Sequence, residues 1–238
     1  MINVCVKRSH IGHSYDRNED SVFLDPKQQF FVIADGIGGL SGGDTASQFA
    51  VDFIKDYIEK RRDESEIEQL LLRAVVQCNS RLFEYSKIEL NKAMGTTLTC
   101  LFLTQSSYYI VHIGDSRCYL IRDSQTEQLT FDQTVGNERW CNGEIKQHEI
   151  HYEPGFQRIT QALGLQKTCT PLSYYGGIRP HDIFLLSTDG FHNSVQTDVL
   201  ADHLRSFDKD PEGVADKLLE TCLDNNGQDN ISFVIIQI

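Results

Sequence analysis

Three aspartates stand at the ends of strongly apolar runs. Asp35 closes Phe30-Phe31-Val32-Ile33-Ala34 and leads into Gly36-Ile37-Gly38-Gly39; Asp189 follows Leu185-Leu186-Ser187-Thr188; Asp229, in Gly227-Gln228-Asp229-Asn230, precedes Ile231–Ile236. Runs of this length read as buried strands, and the glycines after Asp35 as a tight turn where the backbone must approach something closely. One carboxylate at a strand end is ordinary; three point to convergence on a cation. An all-oxygen set of carboxylates and a backbone carbonyl suits a hard ion such as Mg²⁺ or Mn²⁺. With two oxygens, Asp35 can bridge a pair of ions, assisted by the Gly36 carbonyl. Two ions roughly 3.5–4 Å apart hold a hydroxide and clamp a phosphoryl group for in-line displacement. No histidine or cysteine stands beside these aspartates in a pattern that implies a covalent nucleophile.

The elements that must position these groups follow from the periodicity. Residues 2–6 form a short β-prone run. Asp25-Pro26-Lys27-Gln28 is a turn, so residues 20–24 and 29–34 form a hairpin that returns Glu19 and Asp20 towards Asp35. By itself Asn18-Glu19-Asp20 reads as a solvated loop, and Asp115, within Gly114-Asp115-Ser116, as a plain turn aspartate. A helix carries Ala46, Phe49, Ala50, Phe53, Ile54, Tyr57 and Ile58 on one face, with Asp44 and Thr45 capping its start. A second helix spans roughly 66–90. A meander of strands follows at 96–104, 107–113 and 117–122. From about 130 to 177 periodicity weakens and glycines accumulate, as in an inserted flap; within it Arg158–Gly164 reads as a short helix closed by glycine. Residues 183–188 form a strand, 197–206 a helical stretch, 211–225 a helix and 231–238 a closing strand. The order implies a mixed α/β architecture, with helices covering a largely antiparallel two-sheet core.

Composition bounds the function. The 238 residues, 40% hydrophobic, carry a net charge of −12, which argues against a nucleic-acid or anionic-membrane partner. Seven cysteines, with no C-x-x-C pair, indicate neither a disulfide framework nor a zinc site, and most of them fit small buried thiols of a reducing compartment. No stretch approaches eighteen apolar residues and no cleavable leader is visible, so a soluble, cytoplasmic protein is expected. Asp35–Gly39 lacks the spacing of a nucleotide-cradling loop.

Seven motifs in order carry a resemblance: Asn18-Glu19-Asp20, Asp35-Gly36-Ile37-Gly38-Gly39, Met94-Gly95-Thr96-Thr97, Gly114-Asp115-Ser116-Arg117, Ile159–Gly164, Ser187-Thr188-Asp189-Gly190 and Gly227-Gln228-Asp229-Asn230. Together they resemble the metal-dependent Ser/Thr protein phosphatase family (PPM type), its compact bacterial members especially. The resemblance implies one domain over residues 1–238, an α-β-β-α sandwich with a flap at about 131–177. It implies hydrolysis of phosphoserine and phosphothreonine by a metal-bridged water at a dinuclear Mn²⁺ or Mg²⁺ centre. Asp35 then looks like the bridging ligand, Gly36 its carbonyl partner, and Asp189 and Asp229 the other direct ligands. Glu19 and Asp20 look like groups that orient bound waters, and Asp115 like the ligand of a weaker third ion. Gly95-Thr96-Thr97 and Arg117 are assigned to scaffold. Expected partners are phosphoproteins, those of a cognate Ser/Thr kinase, with neither nucleic acid nor membrane, and a monomeric state. A catalytically silent binding module on the same fold is the alternative; loss of a core aspartate would mark it, and all three are present.

Two positions depart from the family pattern. Tyr15 stands where an arginine usually binds phosphate, and Asn193 where an aspartate helps hold the third ion. Tyr15 offers a neutral hydrogen bond. If residues 15–18 are extended, Arg17 projects from the same face and reaches the phosphate instead.

Overall fold

A computed structural model describes residues 2–37, 42–61, 66–89, 91, 93–150, 152, 155–225 and 227–238. Gly38 and Gly39 of the glycine-rich motif lie outside the described residues.

Among the described residues, ten strands make two five-stranded sheets. One runs β1 (Val4–His10), β10 (Ile231–Gln237), β9 (Ile183–Ser187), β6 (Arg117–Arg122), β7 (Gln125–Gln128); the other runs β2 (Asp20–Asp25), β3 (Phe30–Asp35), β4 (Leu98–Leu103), β5 (Ser107–Ile113), β8 (Leu172–Gly177). Every neighbouring pair is antiparallel. Side-chain alternation explains the layers. Phe31 and Ile33 of β3 meet Leu186 of β9 and Val234 and Ile236 of β10 between the sheets. Phe30, Val32 and Ala34 face the other way, onto helices α1 (Gly43–Glu59) and α2 (Ile67–Glu84). On the far side Ile231, Phe233 and Ile235 pack against Val214, Leu218 and Cys222 of α6 (Pro211–Asn225). The central strands are apolar on both faces because both faces are covered. The α-β-β-α sandwich expected from the sequence is the observed fold.

The irregular stretch is more ordered than its composition suggests. It contains α3 (Val135–Cys141), whose start is capped by Thr134. Its presumed end at 177 is corrected: Leu172–Gly177 is the edge strand β8, in register with β5. Arg158–Gly164 is not a helix. Ile159 bridges to Thr134 and Leu163 to Thr96, so the segment is pulled out as a strand-like strap. Its apolar residues satisfy either geometry, and the backbone partners decide. Two short helices, α4 (Asp189–His192) and α5 (Leu200–His203), complete the set, α4 lying between β9 and α6. The first helix is preceded by Gly42 in a left-handed conformation with no side-chain cap; Asp44 instead accepts from the Thr45 N–H within the first turn.

Candidate metal centre

The β2–β3 hairpin sets Asp20 directly opposite Asp35 in register, and the Gly36 N–H donates to the Glu19 carbonyl at 3.1 Å. Two threonines hold the Asp35 backbone. Its N–H donates to Thr97 Oγ1 at 3.0 Å, while its carbonyl accepts from the Thr97 N–H and from Thr96 Oγ1, both at 2.9 Å. Thr97 Oγ1 also meets Ser116 Oγ at 2.7 Å, which ties the turn carrying Asp115 to the same point. Gly36 is required sterically: a Cβ there would fall 2.3 Å from the Gly43 carbonyl oxygen, where α1 abuts the turn.

The second sheet delivers the other carboxylates. Thr188, at the end of β9, exchanges bonds with Ser232 of β10: its N–H donates to the Ser232 carbonyl, and its hydroxyl accepts from the Ser232 N–H, both at 3.0 Å. The same hydroxyl donates across the sandwich to Asp20 Oδ2 at 2.9 Å. Asn230 is a three-way clamp. Its Oδ1 accepts from the Glu19 N–H at 2.7 Å, and its Nδ2 donates to the carbonyls of Ile11 at 2.7 Å and Arg17 at 3.2 Å. Through it the strand that follows Asp229 fixes the loop that carries Tyr15 and Glu19.

The result is a cavity of about 160 Å³ lined by Asp35, Gly36, Asp115, Asp189, Asp229 and Glu19, with Tyr15, Ile37, Ile159 and Asn230 completing its wall. Asp20 sits behind it, buried at 9% exposure. Arg17 is not brought in. Residues 13–14 and 16–17 are bends rather than extended chain, so strand alternation does not apply, and the Arg17 guanidinium points to Asp44 at 3.5 Å. Asn193 is exposed just beyond α4 and contributes only its N–H, to the Asp189 carbonyl at 2.8 Å.

The electrostatics are those of crowded acids. Burial first, then repulsion from Asp20, Asp189, Asp115 and Asp229, pushes the Asp35 carboxyl well above the usual range. Burial likewise raises Asp115 to about 8, Asp20 to about 7 and Asp189 to about 6. Glu19 rises by burial and by the nearby Asp44, and the Tyr15 phenol rises chiefly because Asp229 faces it. Among the described residues, no lysine or arginine lines the cavity. Asp20 Oδ1 and Asp115 Oδ1 are buried with no hydrogen-bond partner, a cost that a native fold rarely leaves without a purpose. A hard divalent cation fits this set: the donors are all oxygen and the excess charge is negative. Among the described residues, however, no three acidic, histidine or cysteine side chains are already drawn into a chelating cluster.

Residues 7–223 match the family model for protein phosphatase 2C. The chain belongs to the protein phosphatase 2C family. It is 29% identical to the serine/threonine phosphatase stp of Listeria innocua, over 97% of this chain and 92% of that protein. The crystal structure of the serine/threonine phosphatase PstP/Ppp of Mycobacterium tuberculosis superposes with a TM-score of 0.87 at 30% identity, covering 99% of this chain and 98% of the other. A PstP catalytic domain solved with two manganese ions superposes at 0.84 with 29% identity, covering 98% and 97%.

The 2C fold thus gathers seven of the nine residues singled out in the sequence into one cavity, places Asp20 against it and leaves Arg17 outside. Sequence reasoning missed Asn230 and Thr188, although both stand inside quoted motifs. Their neighbours are carboxylates, and an amide or hydroxyl beside a carboxylate attracts no separate notice. Their value lies in contacts across about 168 to 219 positions of chain.

Proposed function

We propose that this 2C-family chain hydrolyses phosphoserine and phosphothreonine in proteins, with a pair of Mn²⁺ or Mg²⁺ ions held at the carboxylate cavity. The supporting observation is the set of buried aspartates around one cavity, raised by burial and mutual repulsion, with no lysine or arginine lining that cavity among the described residues. In this reading Asp35, Asp189 and Asp229 are direct ligands with the Gly36 carbonyl, Glu19 and Asp20 hold waters, and Asp115 offers a weaker third position. When bound, the ions supply Lewis-acid charge and a water that ionises near neutral pH. The protein's own residues orient and exclude. Thr188 fixes one oxygen of Asp20 and leaves Oδ1 free to accept a hydrogen bond from water. Tyr15, kept protonated by the facing carboxylates, presents a neutral donor to a phosphate oxygen at the mouth. Ile37 and Ile159 wall the cavity and limit bulk water.

The partners in this reading are phosphoproteins, those of a cognate Ser/Thr kinase, and the chain acts as a single-domain monomer in the cytoplasm. Among the described residues no helix is long and apolar enough to cross a membrane. The test is hydrolysis of phosphoserine, phosphothreonine and phosphotyrosine peptides with and without Mn²⁺. Metal-dependent turnover of the first two is expected, and absence of any metal-dependent turnover would overturn the reading.

A further inference from the structure

Beside the carboxylate cavity lies a second one, of about 430 Å³, lined by Ile37, Ile159, Ala162 and Leu165 with Arg158, Gln166 and other polar groups at its rim. Its size is that of a ligand site. Ile37 and Ile159 line both cavities, so the two lie side by side across a shared wall. The shared wall is built on the backbone that carries the candidate ligands. Ile37 N–H donates to the Gly95 carbonyl at 3.0 Å, and Thr96 and Leu163 exchange N–H···O bonds at 3.2 and 2.9 Å. Gly36–Ile37, Gly95–Thr96 and Ala162–Leu163 therefore form one small ribbon.

The outer lip is fixed as well. Asn79, buried in α2, accepts from the Gly164 N–H at 2.9 Å and donates to the carbonyls of Gln166 at 3.1 Å and Lys167 at 3.3 Å. Gly164 turns the strap with a φ of +82°, where a Cβ would lie 2.7 Å from the Met94 carbonyl oxygen. The groove is thus preformed, which lowers the ordering cost of binding. Among the described residues, no carboxylate lines it and Arg158 is its only cation. No described residue pairs with the exposed Arg158 guanidinium.

We propose that this groove binds the substrate segment beside the phosphorylated residue, seating an apolar side chain between Ile37, Ile159 and Leu165 and a carboxylate on Arg158. The proposal rests on the phosphatase reading and narrows its substrate to acidic-apolar sequence on one side of the phosphoresidue. Adjacency to the carboxylate cavity identifies the occupant: a phosphorylated side chain held there leaves its flanking residues next to the groove. The apolar wall rewards a leucine-sized side chain, and the unpaired guanidinium supplies a charge-assisted bond.

The experiment uses the whole chain with Mn²⁺ and a set of phosphothreonine peptides. These carry leucine or serine, and aspartate or lysine, at each flanking position, with p-nitrophenyl phosphate as a substrate that has no flanks. Peptides with leucine and aspartate on one side should show kcat/KM about tenfold above their serine and lysine counterparts. Arg158→Glu should reverse the aspartate–lysine preference. Gln166→Trp, which fills the groove from an exposed position, should remove the leucine preference. Both should leave p-nitrophenyl phosphate turnover unchanged. A flat peptide profile, or variants that reduce both substrates equally, would overturn the proposal. Binding of fluorescein-labelled peptides by anisotropy in EDTA separates the two readings. The same sequence preference without turnover sinks the enzyme assignment alone, whereas turnover without preference sinks the groove.

Discussion

Two sets of buried aspartates share this sandwich and are treated in opposite ways. Asp182, 1% exposed, is gripped by Arg122 through Nε at 2.8 Å and Nη2 at 2.6 Å, and its Oδ2 also accepts the Arg179 N–H. Asp132 is held likewise by Arg117 at 2.7 to 3.1 Å, with Gln128 adding a bond at 2.9 Å. These carboxylates are structural, and the fold supplies a guanidinium fork to each. Asp20, Asp35, Asp115 and Asp189 receive none; burial and mutual repulsion raise all four above the usual carboxylate range, and two of their oxygens have no partner among the described residues. The sandwich can neutralise a buried acid where only stability is at stake. Where it withholds the partner, the missing charge is left for a ligand to bring.

The contrast can be broken most directly at its centre. Asp35→Asn should leave the circular dichroism spectrum intact and reduce Mn²⁺-dependent hydrolysis by more than the roughly 10–100-fold typical of a lost outer-shell partner. Retained turnover would remove Asp35 from the chemistry. Next, Asp182→Asn and Asp115→Asn should move the stability of the metal-free protein in opposite directions. The first strands Arg122, whose side chain is 25% exposed, at a cost of about 3 kcal/mol. The second relieves repulsion and raises the urea midpoint. Shifts of the same sign would erase the distinction between the two sets.

Asn230→Ala frees the Tyr15–Glu19 loop while sparing every carboxylate. Calorimetric Mn²⁺ affinity should weaken by about 10-fold, and unchanged affinity would reduce Asn230 to packing. The pH dependence sharpens the contrast further. Carboxylates raised by folding bind protons more readily in the native state than in the unfolded one, so they lower stability as pH rises. In EDTA the melting temperature should fall from about pH 4, near the free aspartate value of 3.8, to about pH 8, Asp189 contributing up to about 6 and Asp115 up to about 8. Mn²⁺ should lift it most at the upper end. A metal-free protein that gains stability across that window would contradict the cluster. The smallest effect belongs to Arg17→Ala. An exposed pair with Asp44 is worth ~0–1 kcal/mol, so KM for a phosphopeptide should change by less than about fivefold. A rise of one to two powers of ten would restore the phosphate contact expected from extended chain.

The sequence by itself determined the strands that lead to Asp35 and Asp189, the strand that follows Asp229 and the two long amphipathic helices, because burial on fixed periodicities writes itself locally. It also determined the hairpin that returns Asp20 to Asp35, since the turn residues and the two apolar runs leave one register. Only the tertiary structure decided what depends on distant partners. Leu172–Gly177 carries two glycines and an uneven pattern, and it is a strand because β5 offers it an edge. Arg158–Gly164 has the composition of a helical turn, and backbone bonds with Thr96, Gln133 and Val135 draw it into a strap. Arg17 has the chemistry for phosphate, and two bends in its loop turn it to Asp44 instead. Asn230 binds Ile11, Arg17 and Glu19 from the far end of the chain. A hydrogen bond has direction and range but no sequence period, so its partner is fixed only once the fold has brought the two together.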